Sequence, residues 1–293
     1  MEKNKFYVLV TTLVVLFLSA CNTETKSTTI TSPNKNIAVE FVVSKTGEPM
    51  YLVKHKNKKV IDTSFMSFDF KDKPSLKDNF KIKSSSIGNN DETWEMPWGE
   101  QLKVRNHYNE LIINLEEQSE EKRLLTVHFK VYNDGIGFRY EFPEQANLKE
   151  VLITDENTQF NLSGNHNVWW IPGDWDIYEH LYNATKFSEI DALSKRNHPN
   201  LNATYIPENA VNTPVTMKTD AGLYLSFHEA NLTNYSGMTL KVDTKNMSMT
   251  SELVGSELLG GKVKLATPFN TPWRTIQIAE KAGDLIESKL VLN

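Results

Sequence analysis

Three carboxylates, Asp174, Asp176 and Glu179, fall in a D-x-D-x-x-E spacing, with Trp169, Trp170, Trp175, Tyr178 and Tyr182 around them. Clustered carboxylates suit a hard cation such as Ca2+, which takes about six to eight oxygen ligands. Exposed aromatic faces beside them suit a sugar ring. Neither fit is complete, because the spacing lacks the glycine-turned loop of an EF-hand and the same aromatics would also serve a loop packed over a core. A second stretch, "DETWEMPWGEQ" (91–101), again mixes acids with tryptophans. A glycosidase needs two carboxyl groups roughly 5–9 Å apart, so Glu100 and Glu179 are the carboxylates to test for catalysis within this chain. The plainer expectation is that the tryptophans pack while the acids face water or pair with Arg105.

Other chemistries are excluded more firmly. The seven histidines are scattered. His228-Glu229 begins like a zincin helix, but the position that needs a second histidine is Leu232. There is no G-x-S-x-G elbow and no glycine-rich phosphate loop. The single cysteine, Cys21, leaves the body without disulfides, a thiol nucleophile or a thiolate metal site. A net charge of −5 with no basic block argues against nucleic acid as a partner.

The segments that must position these residues read as strand after strand. In "LLTVHFKVYNDGIGFRYEF", Leu125, Val127, Phe129 and Val131 share one face, Asn133–Gly135 supplies the turn, and Ile136, Phe138, Tyr140 and Phe142 resume the alternation. "TPVTMKTDAGLYLSFHEA" repeats the pattern through a turn at Asp220–Gly222. Further strands are expected at 37–43, 51–54, 111–115, 151–154, 240–242, 263–265, 273–278 and 290–292. Helix is scarce, with two turns expected from Ser188 and one or two in "KAGDLIES". The fold class is therefore all-β: one large sandwich of two curved, mostly antiparallel sheets, over residues 37–293.

The N-terminus sets the compartment. Residues 1–20 carry two early lysines and a 15-residue apolar run, Phe6–Ala20, too short for the ~20 residues that span a bilayer and suited to a signal peptide. It ends in "LSAC", which resembles the lipobox of bacterial lipoproteins; that resemblance implies cleavage before Cys21 and its acylation. Residues 21–36, polar and Ser/Thr-rich, read as a tether. The expected location is the bacterial cell envelope, periplasmic or outer-membrane, held to the membrane by the lipid alone.

Five blocks carry a more specific resemblance: "WGEQLKVRNHYNEL", "FKVYNDGIGFRYEFP", "WWIPGDWDIYEHLY" with "SEI", "GLYLSFHEANLTNYSGM" and "TPWRTIQIAEKAGDLIESKLVLN". In this order they resemble the N-terminal domain of glycoside hydrolase family 97, over almost all of the chain after the leader. The resemblance implies an α-glucosidase or α-galactosidase of bacterial glycan use, built from an N-terminal super-sandwich, a (β/α)8 barrel and a small C-terminal β-domain. It also implies that the catalytic residues sit on the barrel, which the sandwich packs against, shaping the pocket and lending one glutamate to a calcium ion. The matching position is Glu179. The sequence ends at "IESKLVLN", where the family continues into the barrel, so no catalytic residue is expected here. The expected partners are a barrel, in cis or as a neighbouring polypeptide, and an α-linked oligosaccharide. The other reading is a stand-alone carbohydrate-binding lipoprotein. Trp169, Trp170 and Trp175 are then expected at the domain interface or in the core, and Arg274 in a structural ion pair.

Overall fold

Alternation of apolar and polar residues decides most elements in the computed structural model, which describes residues 27–196 and 204–293. The signal peptide and Cys21 lie outside the described residues. Strand content is 55% and helix 6%. The first half contributes β1 (Ser27–Thr31), β2 (Ile37–Val43), β3 (Pro49–His55), β4 (Lys58–Phe65), β5 (Phe68–Phe70), β6 (Phe80–Glu95), β7 (Lys103–Glu117), β8 (Leu124–Tyr132) and β9 (Gly135–Phe142). Then follow β10 (Glu150–Glu156), β11 (Gln159–Leu162), β12 (Asn167–Trp170), β13 (Asn183–Lys186), β14 (Ala210–Asn212), β15 (Val215–Lys218) and β16 (Tyr224–Ala230). The chain closes with β17 (Met238–Asp243), β18 (Ser248–Leu253), β19 (Val263–Ala266), β20 (Phe269–Asn270), β21 (Trp273–Ala279) and the short helix α1 (Ala282–Glu287).

Two large sheets face each other. One runs β1-β2-β3-β4-β11-β18-β17-β14; the other runs β13-β12-β15-β16-β21-β9-β8-β7-β6, with β20 paired to β9. A third sheet, β19-β10-β5, closes one side. The core lies between them: Phe41 on β2 meets Phe129 on β8 edge-on at 6.1 Å, and Phe160 on β11 meets Phe227 on β16 at 5.5 Å. Burying each such side chain stabilises the fold by about 1.5–3 kcal/mol. The β8–β9 hairpin forms as expected and sets Phe129 opposite Phe138.

Three expectations are corrected. The sandwich begins at Ser27, inside the stretch read as tether, because β1 pairs with β2 and turns Ile30 into the core; threonine is a good strand former, so "STTIT" suits an edge. Leu290–Leu292 is a 3-10 turn, burying only Leu290. The helix expected from Ser188 is two separate 3-10 turns, Phe187–Glu189 and Leu193–Lys195. The long strand β6 escaped notice because it is an edge strand exposed along most of its length. There Lys81 and Lys83 both reach Glu116 of β7, and charged side chains keep such an edge from pairing further.

Candidate functional site

β12 aims the site. Its alternation buries Val168 and Trp170 and leaves Asn167 and Trp169 outside, and the Trp170 indole N–H donates to Thr185 Oγ1 at 3.1 Å. The chain then stays buried through Ile171, Pro172, Gly173 and Asp174. Gly173 is required by close approach, since a Cβ there would stand 2.9 Å from Ile206 Cδ1 and 3.1 Å from Ala210.

Asp174 is the anchor of the loop that follows. Its Oδ1 accepts the backbone N–H groups of Asp176 (2.9 Å) and Ile177 (3.2 Å), and its Oδ2 accepts from His180 Nε2 at 3.0 Å. The Thr204 hydroxyl lies 3.0 Å from Asp174 Oδ1 and 2.6 Å from Asp176 Oδ2. Burial alone would raise the Asp174 carboxyl, but these donors outweigh it and hold the group below the usual carboxylate range. Asn212 ties the loop from the other side, accepting from Asp174 N–H and donating to the Ile177 carbonyl.

What the anchor presents is mostly apolar. Tyr178 is 59% exposed, Leu181 76% and Tyr182 67%, beside the half-exposed Trp169 and Trp175. Glu179 stands among them, exposed, with no hydrogen bond or ion pair among the described residues. The three carboxylates read from the sequence thus divide. Asp174 and Asp176 are committed to the loop's own hydrogen bonds, and Glu179 alone is available. No group of three or more His, Cys, Asp or Glu side chains could hold a metal among the described residues. As a hard oxygen donor Glu179 fits calcium chemistry, and by ligand count it fits only as one member of a shared site. The anchoring roles of Asp174, Thr204 and Asn212 were missed in the sequence. The visible signal was an Asp whose side chain can cap the backbone two and three residues on.

The other sequence candidates disperse. Glu100 sits exposed on the turn after β6, seven strands away from β12 in the sheet order, which is no way to build a pair at roughly 5–9 Å. Arg105 pairs with Asp91 through two bonds of 2.7 and 2.8 Å, as expected. Arg274 is fully buried in ion pairs with Glu156 and Glu229. Of the three tryptophans, Trp170 is core and the other two are surface.

The fold is thus a large β-sandwich whose exposed aromatic loop carries one uncommitted carboxylate. The Glycosyl-hydrolase 97 N-terminal family profile matches residues 30–293, and the chain belongs to that family. It is 23% identical over 310 residues to a retaining α-galactosidase of Bacteroides thetaiotaomicron, covering 98% of this chain and 43% of that protein. Two structures of a glycoside hydrolase family 97 enzyme from Pseudoalteromonas sp. strain K8, in complex with panose and with acarbose, superpose with TM-scores of 0.79 and 0.78. Each is 33% identical to this chain, covering 90% of it and 37% of the enzyme. The chain therefore spans well under half the length of these relatives.

Proposed function

We propose that this chain is the accessory domain of a family 97 α-glycosidase, docking through the 171–182 loop onto a catalytic (β/α)8 barrel, in cis or as a neighbouring polypeptide. There it shapes the pocket for an α-linked oligosaccharide and contributes Glu179 to a calcium site completed by the barrel. The single observation that supports this reading is an aromatic loop held rigidly from beneath yet left uncovered, with a free carboxylate at its crest. Calcium at that place would neutralise and fix carboxylates at the domain junction; this chain's part is to hold Glu179 in position. Anchoring to the cell envelope through an acylated Cys21 belongs to the same proposal, and Cys21→Ser is expected to abolish incorporation of labelled fatty acid.

The test joins the chain to a family 97 barrel and measures Ca2+ affinity together with hydrolysis of α-glucosides and α-galactosides. Glu179→Gln is expected to weaken calcium binding at least about tenfold, the usual order for disturbing a metal's surroundings, with unchanged unfolding of the sandwich. Unchanged calcium affinity in that variant overturns the assignment. The exposed aromatics also favour the second reading, a stand-alone carbohydrate-binding lipoprotein. That reading requires the chain alone to bind α-linked oligosaccharides and no barrel to associate with it.

A further inference from the structure

A cavity of about 580 Å³ opens at the other end of the sandwich from the aromatic loop. The loop is tied to Asn212, just before β15, whereas the cavity takes Thr219 to Leu223, just after it. The four residues of β15 between them, at about 3.3 Å each, set the two roughly 13 Å apart along the strand. Three turns build its walls: β3–β4 with His55 and Lys58, β11–β12 with Ser163 and His166, and β15–β16 with Thr219 and Asp220. Its size lies within the ~300–1,000 Å³ typical of small-molecule sites.

His166 is the feature that asks for a ligand. The residue is 3% exposed and lines the cavity, yet neither ring nitrogen has a hydrogen-bond partner among the described residues. Buried polar groups are nearly always paired, so an imidazole with both nitrogens idle needs an explanation. Burial lowers the proton affinity of the ring, which leaves it neutral at pH 7, with one nitrogen donating and the other accepting. Both nitrogens are closed to the cavity in this conformation; with the ring turned toward it, a ligand hydroxyl can do both, and satisfies either nitrogen in either tautomer. The mouth adds charge. Glu280 is met by Lys56 and Asp220 by Lys186, while Lys58 has no ion pair among the described residues. A chain of net charge −5 therefore carries a local surplus of positive charge here.

We propose that this cavity binds a small polyhydroxylated acid, a sugar unit bearing a carboxylate or a phosphate, with a hydroxyl on His166 and the acid group at Lys58. An apolar occupant would leave His166 unpaired, and a cation would meet the lysines.

Calorimetric titration of the full chain distinguishes the sources. Glucuronate and glucose 6-phosphate are the two acidic arms; glucose and inorganic phosphate are the controls. At least one acidic sugar is expected to bind about tenfold or more tighter than glucose and than phosphate alone. His166→Leu is expected to weaken that binding at least about tenfold while leaving the melting temperature unchanged or raised, because it removes buried unpaired polar atoms. Lys58→Glu, at an exposed position, is expected to erase the preference for the acid over glucose. The proposal is overturned if neither acidic sugar binds at millimolar concentration, if glucose or phosphate alone binds equally well, or if both variants bind as the parent does.

Discussion

Arg274→Ala is expected to cost about 3–5 kcal/mol of stability, the toll of leaving buried charge without its partner. Arg274 Nε and Nη2 donate to the two oxygens of Glu156, both at 2.8 Å, and Nη1 donates to Glu229 Oε2 at 2.6 Å. Arg274 and Glu156 are fully buried side chains, and Glu229 nearly so. Glu156 also accepts from Thr158 Oγ1 and the Tyr235 hydroxyl, each at 2.9 Å. The cluster thus rivets β21 and β16 of the ten-stranded sheet to β10 of the small one. At about 2–4 °C per kcal/mol for a domain of this size, the melting temperature should fall by on the order of 10 °C.

The pH dependence of that loss identifies its cause. Burial already raises the Glu229 carboxyl above its usual value, outweighing Arg274 and the Met238 N–H. A raised carboxyl favours the fold fully below its unfolded value and loses that contribution as pH climbs through the folded one. Removing the arginine takes away what holds the Glu229 carboxyl down and raises it further. The deficit of Arg274→Ala should therefore shrink between pH 7.5 and pH 5 in urea titrations, and adding Glu156→Gln should recover part of it. A deficit below about 1 kcal/mol, or one equal at both pH values, would show that the cluster is not a charge-paired rivet.

The sandwich was legible where one face of a strand is buried and the other wet, as in β8 and β9, because period-two alternation follows directly from that asymmetry. It was illegible where neither face is buried. The Ser/Asn-rich strand β6 is held by its ladder to β7 and not by side-chain burial. Leu290–Leu292 failed for the opposite reason: three apolar residues in a row carry no period, and the chain used only the first. At the candidate site, composition pointed to the loop but could not tell an available carboxylate from a prop, since Asp174 and Glu179 are both carboxylates five residues apart. What separates them is burial. The cavity around His166 was invisible, being assembled from three turns distant in the chain.

Asp174→Ala is the second large effect, and it should separate holding the loop from using it. The substitution strands the N–H groups of Asp176 and Ile177 and unpairs His180 Nε2, which must carry its proton here because an ionised carboxylate only accepts. Orphaned groups of this kind cost about 1–3 kcal/mol each when buried. The loop is half exposed, so water recovers part of that, and a total near 2 kcal/mol is expected, concentrated in residues 174–182. Amide exchange there should quicken while the β8–β9 core stays protected. Joined to a barrel, Asp174→Ala should weaken calcium binding at least as much as Glu179→Gln, because it releases the segment that carries Glu179. Asp174→Asn keeps an acceptor for the two backbone N–H groups and should lie between Asp174→Ala and the parent. The parent's own loop has a predictable acid limit. A carboxyl held below its usual value of 3.8 contributes fully above that pH and loses its contribution only as pH falls through the lower folded value. Exchange in 174–182 should therefore stay slow from neutrality to about pH 4 and accelerate below it. Quickening well above pH 4 would overturn the assignment of the anchor to the Asp174 carboxylate.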